Sequence, residues 1–210
     1  MAKLAFVFPG QGSQEVGMLQ DVLAAGGANA EILQTTFAEA SAALGYDLWA
    51  LVQQGPEEQL NQTEFTQPAL LTASIVLWRL ASAAGLAKPD MLAGHSLGEY
   101  SALVAAGVID FVDAVRLVQQ RGRFMQTAVP VGEGGMAAVL GLDDDQVRAV
   151  CAAVSANGEI VEAANFNAPG QVVIAGKHAA LAAAIEACKA AGAKRAMALA
   201  VSAPFHSLLM

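Results

Sequence analysis

Gly94-His95-Ser96-Leu97-Gly98 follows the apolar run Met91-Leu92-Ala93 and precedes Glu99-Tyr100-Ser101-Ala102-Leu103-Val104-Ala105-Ala106, a helix-like stretch. Strand, tight glycine-flanked turn and helix are the surroundings that a G-x-S-x-G nucleophile elbow requires. Glycines admit a crowded bend that a Cβ would obstruct. The serine hydroxyl is then presented at the end of the strand, against the positive end of the next helix. The plainer alternative is a serine in an ordinary glycine turn. The flanking apolar run and helix favour the elbow, and Ser96 is the candidate nucleophile.

Working outward, 210 residues suffice for one large core or a core with a small subdomain. Hydrophobic residues make up 55% and charged ones 14%, so much of the chain must be buried. The longest uncharged run, Ala196 to Met210, is too short to span a bilayer and carries Pro204 and His206. Met1 to Gly10 has a single cation and a short apolar run, which reads as a first buried strand and not a signal peptide. A formal charge of −8 excludes a nucleic-acid binder of the usual basic kind. We therefore expect neither nucleic-acid nor membrane partners. Cys151 and Cys188 stand singly in alanine-rich helical patterns without a C-x-x-C pair. They read as buried thiols of a cytoplasmic protein, and no metal site is expected.

The first half alternates short apolar runs with helical segments, the pattern of a parallel α/β sheet. Leu4–Phe8 and Met91–Ala93 read as strands. Ala30–Leu44, Pro68–Ala84 (with Pro68 in the first turn) and Asp110–Val129 read as helices, the last burying Val112, Val115, Leu117, Val118 and Phe124. The texture changes at Pro130-Val131-Gly132-Glu133-Gly134-Gly135. Beyond it come strand Met136–Leu140, helix Asp143–Val154, strands Ile160–Asn165 and Gln171–Ala175, helix His178–Ala191 and strand Ala196–Leu199. That order is β-α-β-β-α-β. We expect an α/β fold: a parallel-sheet, α/β-hydrolase-like core over 1–129 and 198–210, with an inserted ferredoxin-like subdomain over 130–197. Asp143-Asp144-Asp145 reads as a helix cap.

A serine needs a base, and the chain offers three histidines. His95 adjoins Ser96 and points elsewhere on an elbow, a structural role. His178 opens a surface helix. His206, in the irregular loop Ser202-Ala203-Pro204-Phe205-His206-Ser207, is the candidate base. No triad acid is recognisable, but a carbonyl or amide can orient an imidazole as well. Two backbone N–H groups are expected at the oxyanion: Leu97, after the nucleophile, and Gln11 in the glycine loop Pro9-Gly10-Gln11-Gly12-Ser13-Gln14. Arg121 lies in a mostly apolar helix with Arg116 and Arg123. All three suit a solvated face, whereas an arginine aimed into an acyl pocket would grip a substrate carboxylate.

Phe8-Pro9-Gly10-Gln11-Gly12-Ser13-Gln14, Thr66-Gln67-Pro68-Ala69, Gly94-His95-Ser96-Leu97-Gly98-Glu99, Gln120-Arg121-Gly122, Asn165-Phe166-Asn167-Ala168-Pro169-Gly170-Gln171 and Pro204-Phe205-His206-Ser207 occur in that order. Together, from Leu4 to Met210, they resemble the malonyl-CoA:acyl carrier protein transacylases, acyltransferases of type II fatty acid synthesis. The resemblance implies a ping-pong transfer through a malonyl ester on Ser96, with His206 as base and acyl carrier protein as acceptor. It implies no cofactor, since the coenzyme A thioester is the substrate. It also implies that Gln11 and Leu97 hold the oxyanion, that Arg121 holds the malonyl carboxylate, that Phe205 belongs to the malonyl-selecting motif and that Asn165 borders the cleft. Members of that family continue beyond the histidine motif, so we expect a C-terminally incomplete chain that exposes sheet edge or depends on a second piece. Lys177, Lys189, Lys194 and Arg195 are the candidate patch for an acidic carrier. A serine esterase or thioesterase of the same elbow type, and an inactive fragment, are the competing readings.

Overall fold

The computed structural model describes residues 3–130, 132–156, 158–199, 201 and 203–210. Met1, Ala2, Val131, Ala200 and Ser202, which fall in stretches quoted above, lie outside the described residues. The chain divides into two compact units, Met1–Arg123 and Phe124–Met210.

In the first unit, β1 (Ala5–Phe8) pairs in parallel with β2 (Met91–Gly94), Ala5 opposite Met91 and Phe8 opposite Gly94. Between them run α1 (Gln20–Ala24), α2 (Gly27–Leu44), α3 (Leu48–Gln54), α4 (Glu57–Leu60) and α5 (Thr63–Ala83). α6 (Gly98–Ala105) and α7 (Phe111–Ala128) follow, the end of α7 from Phe124 on belonging to the second unit. The core joins Leu33 and Phe37 of α2, Leu48 and Val52 of α3, Leu71 and Ile75 of α5, Leu97, and Val115 and Val118 of α7. α1, α3 and α4 are additions to the sequence reading. The carboxylate of Asp47 caps α3 by accepting the Ala50 N–H at 2.9 Å.

Three expectations are corrected here. α5 begins at Thr63, so Pro68 sits inside the helix and not in its first turn. Proline cannot donate to the Glu64 carbonyl, and the unbroken buried face from Thr66 to Val76 offsets the lost bond. Along α7 the buried side is Phe111, Ala114, Val115, Val118, Gln119 and Gly122, while Leu117 and Phe124 are 46% and 66% exposed. At 3.6 residues per turn both fall on the far side from that stripe, and Val112 is only half-buried. β1 is not a fully buried strand either. It has one neighbour among the described residues, and Val7 and Met91 are 77% and 54% exposed.

The second unit contains β3 (Gly134–Leu140), α8 (Asp144–Ser155), β4 (Val161–Ala168), β5 (Gln171–Lys177), α9 (His178–Ala190) and β6 (Arg195–Ala198). Its sheet has the order β4-β5-β3-β6, every neighbouring pair antiparallel. Strand alternation sends Ala137, Val139, Val172 and Ile174 to the side of α8 and α9. Met136, Val173 and Ala175 go to the other side, with Ala203 and Phe205. Both faces are thus covered, which is why these strands read as continuous apolar runs. Asp143 caps α8, its carboxylate accepting the Asp145 N–H at 3.0 Å.

The basic cluster expected at Lys177, Lys189, Lys194 and Arg195 separates. Lys177 immediately precedes α9 and faces Glu159 at 3.8 Å, whereas the other three lie at or after the far end of that helix, about 18 Å away at 1.5 Å per residue.

Cys151 and Cys188 are free and buried. Burial, reinforced by Cys188 and Glu162, pushes the Cys151 thiol up to about 12, and burial raises Cys188 as well. Neither thiol should react with an alkylating reagent at pH 8 until the unit unfolds. Because the folded thiol titrates above its ordinary value of 9.0, its contribution to stability is complete below that pH and is lost as pH climbs toward about 12. Timed alkylation with and without denaturant checks the first statement, and melting curves across alkaline pH check the second.

Candidate active site

Gly94 closes β2, and Ser96 follows with φ 53°, in the left-handed region that residues with a Cβ seldom occupy. Such a backbone costs about 1–3 kcal/mol and persists where the surroundings enforce it. Here they do. A Cβ on Gly94 would run into the Gly98 backbone, and one on Gly98 into the Phe8 carbonyl, so α6 can start only against bare backbone. The Gly98 N–H bonds the His95 carbonyl at 2.9 Å, and His95 N–H bonds Phe8 at 3.1 Å. The outcome is a half-buried Ser96 in the turn leading into α6, beside the fully buried Leu97, which caps that helix. The Leu97 N–H sits at the N-cap of α6, where amides lack helical acceptors.

Arg121 of α7 approaches Ser96 directly, Nη2 lying 3.3 Å from Oγ. Its Nη1 donates to Gln67 Oε1 at 2.6 Å, and the guanidinium carbon stands 5.6 Å from the Tyr100 ring centre. Arg116 and Arg123 are engaged elsewhere, with Asp113 at 3.6 Å and Glu64 at 3.0 Å. Gln67 continues the network by donating Nε2 to Thr63 Oγ1 at 2.9 Å, and Thr63 donates to Gln11 Oε1 at 2.7 Å. The Gln11 loop also packs its Gly10 against the His95 carbonyl, and Gln14 bonds both Gly12 N–H and Asn61. Ser96, Leu97, Arg121 and Gln11 are thus brought together in the first unit.

Of the other residues singled out in the sequence, Asn165, His178, Phe205 and His206 belong to the second unit and His95 to the first. Phe205 is 6% exposed among Met136, Val173 and Ala175. His206 is exposed at φ 61°, in a turn pinned by Ser207 Oγ donating to the Pro204 carbonyl at 2.7 Å. Asn165 lies on β4 opposite Val173, at a break in register. His95 and His178 are both exposed, and His178 opens α9. Among the described residues no group of three or more His, Cys, Asp or Glu could hold a metal, and no helix is long and apolar enough to cross a membrane.

Sequence reading assigned no role to Gln67, Thr63, Tyr100 or Gly122. For Gln67 a signal existed: an uncharged polar residue on the apolar stripe of a long helix needs a partner when buried. For Gly122 none did. A Cβ there would lie 2.5 Å from Glu64 Cα and 2.7 Å from the Thr63 carbonyl, so the glycine lets α7 touch the start of α5.

A serine forced into a left-handed bend between a strand and a helix is the geometry of a nucleophile elbow. The chain belongs to the acyl transferase domain family, whose model matches residues 5–210. Among its relatives it is 62% identical over 210 residues to the malonyl CoA-acyl carrier protein transacylase of Salmonella typhimurium, covering all of this chain and 66% of that protein. The corresponding protein of Haemophilus influenzae is 56% identical over 211 residues. A solved malonyl-transacylase, in complex with a type II PKS acyl-carrier protein, superposes with a TM-score of 0.95 at 58% identity, over 100% of this chain and 66% of its own. The acyl carrier protein S-malonyltransferase of Vibrio cholerae gives 0.90 at 59% identity, over 97% of this chain and 65% of its own. The chain thus spans about two thirds of the length of these relatives.

Proposed function

We propose that the chain carries the nucleophile, oxyanion donors and carboxylate anchor of an S-malonyltransferase that moves malonyl from malonyl-CoA to the phosphopantetheine thiol of acyl carrier protein, feeding fatty acid synthesis. The observation that carries this is the 3.3 Å approach of the Arg121 guanidinium to Ser96 Oγ. In a malonyl group the carboxylate carbon is one methylene from the reacting carbonyl, about 2.5 Å away by standard bond lengths. An arginine that reaches the nucleophile itself suits an acyl chain that short, and a bidentate grip on its carboxylate fixes the carbonyl in front of Oγ.

The reaction then runs in two halves. Ser96 Oγ attacks the thioester carbonyl while His206 takes its proton. The N–H groups of Gln11 and Leu97 hold the oxyanion, the C–S bond breaks, and coenzyme A leaves as thiol with the proton from His206. The carrier thiol next gives its proton to His206 and attacks the malonyl ester, and Ser96 regains its hydrogen as leaving group. Asn165 and Phe205 are assigned to the border and selectivity of the acyl site. No cofactor takes part. The free, buried thiols suit a cytoplasmic setting, and Lys189, Lys194 and Arg195 are a docking patch for the acidic carrier.

The same reading treats residues 1–129 and 198–210 as an α/β-hydrolase-like core and 130–197 as an inserted ferredoxin-like subdomain. The β-α-β-β-α-β order and the antiparallel β4-β5-β3-β6 sheet support the second assignment.

The decisive experiment uses a chain that also carries the stretch its relatives have in addition. Mixed with malonyl-CoA alone, it should gain the mass of one malonyl group and lose it when carrier protein is added. Rapid release of malonate without an acceptor would establish a thioesterase instead. Arg121→Ala should depress malonyl transfer about 100-fold, the usual order for one desolvated partner of a charge pair, and acetyl transfer far less. Equal losses for the two donors would remove Arg121 from selectivity.

A further inference from the structure

The polar groups around Arg121 form a hydrogen-bond relay whose direction is forced. Arginine can only donate, so the Gln67 amide must turn Oε1 toward it, at 2.6 Å. Its Nε2 is then left for Thr63 Oγ1, at 2.9 Å. Having accepted there, the Thr63 hydroxyl sends its own proton to Gln11 Oε1, at 2.7 Å. Gln67 is 0% and Thr63 1% exposed, so water cannot substitute for either partner. Among the described residues of this unit, the groups that the guanidinium bonds or faces, Gln67, Ser96 and the Tyr100 ring, are uncharged. Glu64 on the same helix is engaged by Arg123 at 3.0 Å.

We infer that Gln67 and Thr63 are positioning residues that set acyl-chain selectivity: they fix Arg121 with a neutral partner, leaving its charge for a substrate carboxylate, and tie that anchor to the oxyanion loop through Gln11. The inference rests on the acyl-transfer reading above and adds the device that keeps the two halves of the acyl site at one spacing. A carboxylate at position 67 would hold Arg121 as firmly, but it would satisfy the charge internally. It would also draw the Thr63 proton to itself and away from Gln11. An amide avoids both.

The test compares Gln67→Glu, Gln67→Met, Thr63→Val and Thr63→Ser in the longer chain described above, reading kcat/KM for malonyl-CoA and acetyl-CoA separately. Gln67→Glu should cut malonyl transfer about 100-fold and acetyl transfer less than about 10-fold, because only malonyl competes with the new charge. Gln67→Met, which breaks the bonds without adding charge, should shift the malonyl-to-acetyl ratio less than Gln67→Glu does. Thr63→Val should lower kcat for both donors about 10-fold through the loosened Gln11 loop, and Thr63→Ser should restore it to within about threefold. If Gln67→Glu fails to fold, the Thr63 pair decides. The inference is overturned if both donors fall by one common factor in Gln67→Glu and Gln67→Met, or if Thr63→Val keeps full activity. Failure of the unsubstituted protein to form a malonyl ester would instead sink the acyl-transfer reading, so the two failures are distinct.

Discussion

Ser96→Ala is expected to eliminate the malonyl-enzyme ester and to lower malonyl transfer by at least about 10⁴-fold, the order seen when a covalent nucleophile is removed. In a ping-pong reaction nothing else can carry the acyl group between two thiols that do not meet. Arg121 and the Leu97 N–H would still bind the donor, so affinity for malonyl-CoA should survive while turnover vanishes. The folded state should gain little or nothing from the substitution, because the strain at φ 53° resides in the backbone and alanine bears the same Cβ. Intact-mass spectrometry with malonyl-CoA, a transfer assay with carrier protein and a melting curve together check this. A malonyl adduct that persists in Ser96→Ala would place the acyl group on another side chain.

Local sequence carried much of this architecture because its decisive signals are local. The elbow needs glycines before and after one serine and a strand leading in, all within ten residues. The β-α-β-β-α-β order of the second unit is readable because β3 and β5 are almost continuously apolar and Asp143 marks a helix start. What escaped reading depends on neighbours distant in sequence. β1 looked buried from its composition, yet burial is set by how many strands flank it, and Val7 faces outward. Hydrophobicity alone places Leu117 and Phe124 in the core, but their angular position on α7 decides otherwise. Pro68 suggested a helix start, but packing along α5 outweighs one missing N–H. At the site, Ser96, Leu97, Gln11 and Arg121 could be named from motifs. The motifs contain Gln67 and Gly122 but not what they do, and they omit Thr63, because the importance of all three lies in contacts across 52 to 59 positions of chain.

Gly122 makes the point as an expected result. An alanine replacing glycine inside a helix ordinarily stabilises by about 0.5–1 kcal/mol through the lost freedom of the unfolded chain. At Gly122 the sign should reverse. The added Cβ would stand 2.5 Å from Glu64 Cα, 2.7 Å from the Thr63 carbonyl oxygen and 2.8 Å from the Glu64 nitrogen. All three are backbone atoms, so no side chain can swing aside and the two helices must part. Overpacking of this kind costs about 1–3 kcal/mol. The functional loss should be larger than the structural one. Arg121 is the preceding residue, and its 2.6 Å bond to Gln67 spans the very seam that opens. A displacement of about 1 Å in a positioned group can cost about 100-fold in rate, so malonyl-serine formation should slow by that order while the protein still folds. Gln120→Ala, on the exposed side of the same helix, should leave both melting temperature and acylation rate nearly unchanged. A Gly122→Ala protein that melts higher and acylates at full speed would mean that the seam yields without moving Arg121, and that the arginine is placed by its own contacts alone.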